Sequence, residues 1–194
     1  QEFIDKLPGI KFDNPIDHDQ SSVARLVYSD MNSASTKTNL AYKENGKRLG
    51  TMSYAELGGA RAAGMPIIAV DENTTKDSIL ERIVTYNFGS KEEAYSYLRE
   101  NKELFSRYEA IPKNNKTKSK EDYKSILFTG DIERLKSIDY PRDKNIYFTG
   151  DYIDNLDNLS KDVDLIVANF DSGKKHNPEG LFLMGMGYEL KIPV

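Results

Sequence analysis

Gly50-Thr51-Met52-Ser53-Tyr54-Ala55-Glu56-Leu57-Gly58-Gly59-Ala60-Arg61-Ala62-Ala63-Gly64-Met65-Pro66-Ile67-Ile68-Ala69-Val70-Asp71 is the stretch that decides the fold. It reads as a turn, a small-residue helix and a buried strand. Gly50 permits the positive φ of a tight turn, Thr51 or Ser53 can cap a helix start, and residues 53–63 are rich in helix formers. Gly64 stops the helix. Met65-Pro66 then feeds the apolar run 67–70, which ends on Asp71 and Glu72 as the carboxyl end of a parallel strand often does. Glu56 stands out because its helix is otherwise built of Ala, Gly, Leu and Tyr. It is either a solvated first-turn acid favoured by the helix dipole, or a carboxylate at the strand-end edge where open α/β sheets bind ligands.

Upstream, residues 3–9 resemble the end of a helix and 10–16 a short strand that runs into Asp17-His18-Asp19. His18 reads as a solvated loop residue or as a base or ligand. Residues 20–34 predict a helix capped by Ser21 or Ser22, with Val23, Leu26, Val27 and Met31 as its apolar stripe. Tyr28, Asp30 and Asn32 lie within it. Residues 38–42 form a weak strand, and 43–48 an exposed basic turn.

Downstream of the loop 72–75, residues 76–86 predict a helix with Ile79, Leu80, Ile83 and Val84 on one side, broken at 87–89. Ser90-Lys91-Glu92-Glu93 is a capping box for a further helix that carries Ala94, Tyr97 and Leu98 and extends to Leu104 and Phe105. Residues 111–122 are polar and Lys-rich, which reads as a solvated tether or as a phosphate contact.

The second half repeats the plan in shortened form. Residues 125–129 and 145–149 are strand-like and both lead into Thr-Gly-Asp, residues 165–171 form a buried strand ending at an acid, and 180–188 form a second small-residue helix before a last strand at 191–194. Laid over the first half, this helix places Gly185 where Glu56 stands. The chain then divides into residues 1–110, a linker 111–122, and a second repeat 123–194 without the acid.

Composition narrows the function classes. A chain of 194 residues with 38% hydrophobic and 30% charged residues is that of a globular protein with one sizeable core or two small ones. No apolar run approaches the roughly 20 residues of a membrane span, and residues 1–9 have no signal-peptide pattern. No Cys and two His rule out disulfides, thiolate catalysis and Cys-ligated zinc, and leave little for a His-rich site. A net charge of −4 disfavours nucleic acid as a partner. A reducing cytoplasm is the expected location.

Residues 54–60 followed by Gly64-Met65-Pro66-Ile67-Ile68 resemble the nucleophile motif of the nucleoside 2-deoxyribosyltransferase family, in which Gly-Thr and a short spacer precede Glu-aliphatic-Gly-x-Ala and a Gly-Lys-Pro turn into a strand. Pro15-Ile16-Asp17 resembles that family's P-x-D, residues 28–32 its Tyr-x-x-Asp-Leu-Asn segment, and 145–150 its opening-strand motif, which the first half lacks. A chain trimmed at its ends, or one whose halves complete each other, is expected from that. The segment 38–42 departs from the family, and the acid that often precedes Gly-Thr is missing.

The resemblance implies a parallel sheet flanked by helices, Rossmann-like or flavodoxin-like, in two related halves. It implies a nucleoside or nucleotide substrate, no cofactor or metal, and a homo-oligomer that borrows a loop near 85–88 from a neighbour. Glu56 would be the nucleophile on the anomeric carbon, Asp30 would handle the base's proton, and Tyr54 or Tyr28 would orient Glu56. Asp17, Tyr28, Asn32, Gly50, Thr51, Ser53, Tyr147 and Gly150 would bind substrate. The expected activity is a nucleoside deoxyribosyltransferase or nucleotide N-glycosidase. The alternative is a binding or scaffold protein that kept the fold and lost the chemistry; Glu179 lies too early in its helix to replace Glu56.

Overall fold

The computed structural model describes residues 5–7, 13, 18, 21–101, 110–113, 123–133, 135–170 and 177–194. Asp17, the strand expected at 10–16 apart from Asp13, and Leu104 and Phe105 lie outside the described residues. So do 114–122 of the linker. The fold is α/β with two parallel three-stranded sheets flanked by helices.

Helix α1 (Val23–Ala34) is capped by the Ser22 hydroxyl, which accepts the Arg25 N–H at 3.2 Å. Met31 and Ala34 are buried, but Val23, expected in the apolar stripe, is 80% exposed. Strand β1 (Asn39–Lys43), helix α2 (Thr51–Ala62) and strand β2 (Ile67–Asp71) follow. Helix α3 (Ser78–Ile83) is shorter than its apolar pattern predicts, because residues 86–88, expected to end and break that helix, instead form strand β3 (Tyr86–Phe88) on β2. The Thr85 N–H donates to Ile67 O at 2.7 Å and its hydroxyl accepts Ile67 N–H at 3.1 Å, which turns the chain into the sheet one residue before Tyr86.

Helix α4 (Lys91–Glu100) is capped by the Ser90 hydroxyl. Its Glu93 carboxylate accepts from the Gly89 N–H rather than from Ser90, so the expected capping box is only half formed. The first sheet has the order β1-β2-β3, with β2 central. Successive β2 side chains alternate: Ile67 and Ala69 enter the main core, while Ile68 meets Leu7, Tyr95 and Leu98 on the other face.

The second sheet holds β4 (Ser125–Gly130) at its centre, between β5 (Asn145–Phe148) and β6 (Leu165–Asn169). One-turn helices α5 (Thr149–Tyr152) and α6 (Leu159–Asp162) lie between these last two strands. Helix α7 (Pro178–Leu190) closes the fold, capped by Asn177, whose side-chain oxygen accepts the N–H groups of Glu179 and Gly180. The helix therefore starts two residues before the 180–188 expected from sequence and ends two residues after it.

Helices α2 and α7 cross in direct backbone contact. A Cβ built on Gly58 would lie 2.0 Å from Phe182 O, and one on Gly185 would lie 1.8 Å from Ala55 O. No residue larger than Gly fits either position without moving a helix. Leu57, Ala60, Leu127, Phe182 and Met186 thus belong to one core shared by both sheets. Residues 111–113, expected in a solvated tether, are docked across the helix ends: Ile111 is buried and its N–H donates to Ala62 O at 3.0 Å, while Lys113 Nζ lies 2.6 Å from Glu189 Oε1.

The two crossing units share their local hydrogen bonds. Asn39 N–H donates to Pro66 O, as Ile166 N–H does to Pro193 O; Met65 N–H donates to Ala60 O, as Ile192 N–H does to Gly187 O; all four are 2.9 Å. Each helix is followed by a left-handed residue, Gly64 (φ 70) and Lys191 (φ 62). This frame corrects the alignment expected from sequence. Gly185 matches Gly58, and Leu183 stands where the first unit has Glu56.

Candidate functional site

Because β1 and β2 are parallel, the turn from β1 delivers the α2 N-terminus to the carboxyl edge of the first sheet. Glu56 lies in the second turn of α2 and is half-buried. Helix α1 packs on the same part of α2, with the Met31 side chain against Gly59. That contact brings Asp30, the neighbour of Met31, to the side of α2 from which Glu56 projects.

His18 completes the cluster. Its Nδ1 lies 2.5 Å from Asp30 Oδ1 and its Nε2 3.1 Å from Asp13 Oδ2, so one imidazole bridges two carboxylates. The Ser33 hydroxyl and the Lys37 ammonium both donate to Asp13 and fix the outer acid. Bonds from Lys37 and Ser33 hold the Asp13 carboxyl far below its ordinary range, against the upward push of burial. His18 is held above its ordinary value, first by its bond to Asp30, with burial opposing and Asp13 adding. Burial raises Glu56, the negative charge of Asp30 raises it further, and His18 offsets part of this.

The arrangement is a half-buried carboxylate beside an imidazole–carboxylate pair able to hold and deliver a proton. A carboxyl and an imidazole that are both raised by their surroundings can hold protons closer to neutral pH, where acid–base chemistry needs them. Asp13 went unread in the sequence. It fell within residues 10–16, which read as a short strand.

Other expected site residues fall elsewhere. The Tyr54 hydroxyl donates to Asp77 Oδ2 at 2.5 Å, so this buried ring belongs to a different network and does not orient Glu56. Tyr28, the other residue expected to orient it, is 65% exposed. Asn32 is exposed on α1, and Gly50 and Thr51 are exposed and Ser53 half-buried at the start of α2. Tyr147 packs edge-on against Tyr152 with ring centroids 5.2 Å apart, which makes it part of the second unit's core. Gly150 has open space around it.

A second polar cluster fills the carboxyl ends of β1 and β2. Lys43, expected in an exposed turn, is buried with its Nζ 3.3 Å from both Asp71 Oδ2 and Asp77 Oδ2. Burial pushes the Asp71 carboxyl up, but hydrogen bonds from Asn73, the Asp77 N–H and Lys43 outweigh it and leave it below its ordinary range. Asp77 is likewise lowered: burial opposes, and Tyr54, the Leu80 N–H and Lys43 prevail.

The second sheet has its own carboxyl-edge arrangement. The buried hydroxyls of Thr129 and Thr149 meet at 2.9 Å, and Gly180 of α7 sits against the Gly130 backbone, where a Cβ would lie 2.8 Å from Gly130 N. Among the described residues, no helix is long and apolar enough to cross a membrane. Comparison of the chain with family models, with curated proteins and with solved structures finds no match.

Proposed function

We propose that the chain cleaves the N-glycosidic bond of a nucleoside or nucleotide, with Glu56 as nucleophile. The observation that carries this reading is a half-buried Glu56 carboxylate within electrostatic reach of the hydrogen-bonded Asp30–His18 pair. A Glu56 oxygen attacks the anomeric carbon, the carbon–nitrogen bond breaks, and its electron pair leaves with the base. The base nitrogen takes a proton from the Asp30–His18 pair. Water or a second base then attacks the same carbon, returns a proton to that pair and frees the Glu56 carboxylate.

The crossing of α2 and α7 within one chain supports a reading in which the second unit takes the neighbour's place. The apolar residues that precede the loop near 85–88 are drawn inward, with Ile79, Leu80 and Ile83 buried. A mass above one chain in light scattering at tens of micromolar would restore the homo-oligomer.

One observation favours the binding or scaffold reading instead: the Lys43–Asp71–Asp77–Tyr54 network occupies strand ends that an open-sheet enzyme leaves free for ligand. Incubation with deoxynucleosides and their monophosphates, with and without an acceptor base, followed by chromatography, separates the two. Released or exchanged base supports catalysis; saturable binding without release supports the scaffold.

A further inference from the structure

A cavity of about 600 Å³ opens at the edge of the first sheet opposite Glu56, where the turns enter β2 and β3. Its apolar surface comes from Met65, Ile83 and Ile111, all buried, and Arg61, Arg82 and Lys161 bring three cations to its lining. Against them the lining holds one carboxylate, Asp157. A cationic concavity on a chain of net charge −4 is a local reversal of sign, and a concave wall of one charge concentrates anions from solution.

The cations are available. Arg61 lies 2.7 Å from Asp157 and Arg82 3.7 Å from Asp154, but those carboxylates are 73% and 77% exposed. Ion pairs so open to water contribute little and are readily exchanged for a doubly charged ligand. Guanidinium groups bind phosphate oxygens through two parallel N–H donors. Thr85, also in the lining, already accepts the Ile67 N–H at its hydroxyl oxygen, which leaves its O–H free to donate.

We propose that this cavity binds a phosphate monoester carried on a compact apolar or aromatic body. The volume lies within the roughly 300–1,000 Å³ of small-molecule sites, and charge at the rim with carbon at the floor matches such a ligand end to end. Arg61 and Arg82 come from the first unit and Lys161 from the second, so the ligand fastens one to the other. This reading does not depend on Glu56, which lies in the second turn of α2 and does not line the cavity.

Titration calorimetry with phenyl phosphate tests it, with phenol and inorganic phosphate as separate arms. One equivalent of phenyl phosphate should bind, each arm should bind at least tenfold more weakly, and the affinity should fall with added salt. Arg82→Gln with Lys161→Gln should weaken binding at least tenfold while leaving the ligand-free melting temperature unchanged. Should the double variant misfold, Lys161→Gln alone carries the test, since Lys161 is exposed. Glu56→Gln should bind as wild type does. No saturable heat at millimolar ligand, unchanged affinity in the variants, equal binding of inorganic phosphate, or loss of binding in Glu56→Gln would each overturn the proposal.

Discussion

The two crossing units use one backbone device with opposite side-chain chemistry. Where the first places Glu56, half-buried under α1 and beside Asp30 and His18, the second places Leu183 with no exposed surface. Where the first ends its strand on buried Lys43, the second has Phe170 in the same frame, packed against the core. The shared glycine crossing fixes how the helices meet. Which unit carries a titratable cluster beside the crossing is then decided by a few positions that the crossing leaves unconstrained.

Exchanging the contrasted side chains tests that division most severely. Glu56→Gln keeps the shape but cannot form the ester, so base release should fall by several orders of magnitude, at about 1.4 kcal/mol of barrier per tenfold. Leu183→Glu should restore no activity to the second unit. It places a carboxylate among apolar groups without a partner and should destabilise the fold by several kcal/mol, read by urea unfolding. Leu183→Glu placed in the Glu56→Gln background that folds as wild type and releases base would erase the contrast.

The strand-end contrast predicts the next effect. Lys43→Met leaves Asp71, 1% exposed, and Asp77 without their shared cation, which should cost about 3–5 kcal/mol. Phe170→Leu, in the matching frame, should cost no more than a partial loss of packing, about 1 kcal/mol. Similar losses at the two positions would mean that the Lys43 cluster contributes no more than packing does.

The features the units share should respond alike. Gly58→Ala and Gly185→Ala each force a methyl against a backbone carbonyl and should cost about 1–3 kcal/mol or more. Gly150→Ala, with open space around it, should fall within about 0.5 kcal/mol of wild type. Unequal losses at Gly58 and Gly185 would show that the crossing is not the two-sided contact described.

Much of this was legible in the chain. Residues 50–71 announce helix, turn and buried strand because Gly64 permits the left-handed stop, Pro66 fixes φ and the apolar run 67–70 calls for burial. The failures were of tertiary origin. Tyr86 reads as the end of a helix and Phe88 as part of its break because only pairing with β2 makes them a strand. The same holds for Lys43 and Tyr54, whose roles depend on Asp77, a residue brought to them by the turn into α3. In the site, Glu56 and Asp30 could be named from their neighbours in sequence. Asp13 and the bridging role of His18 required the packing of α1 on α2, which no local pattern encodes.

The smallest effect is the stability of Glu56→Gln as a function of pH. In the folded chain burial and the charge of Asp30 raise the proton affinity of Glu56, so its ionised form opposes folding. That opposition is absent below the unfolded value of about 4.3 and grows as pH rises toward the folded value. Gln carries no charge and escapes it. The variant should therefore melt with the wild type near about pH 4 and above it at neutral pH, by at most a few degrees, since about 1 kcal/mol moves Tm by roughly 2–4 °C in a chain of this size. His18 adds a second stage. Its folded value is raised, so the stabilisation it lends is complete below about 6.5 and is lost as pH climbs through the higher folded value. With that loss the cation offsetting Glu56 disappears, and the gap between variant and wild type should widen again. A gap that stays constant from about pH 4 to about pH 8 would mean that Glu56 is a solvated helix acid with no electrostatic tie to Asp30 and His18.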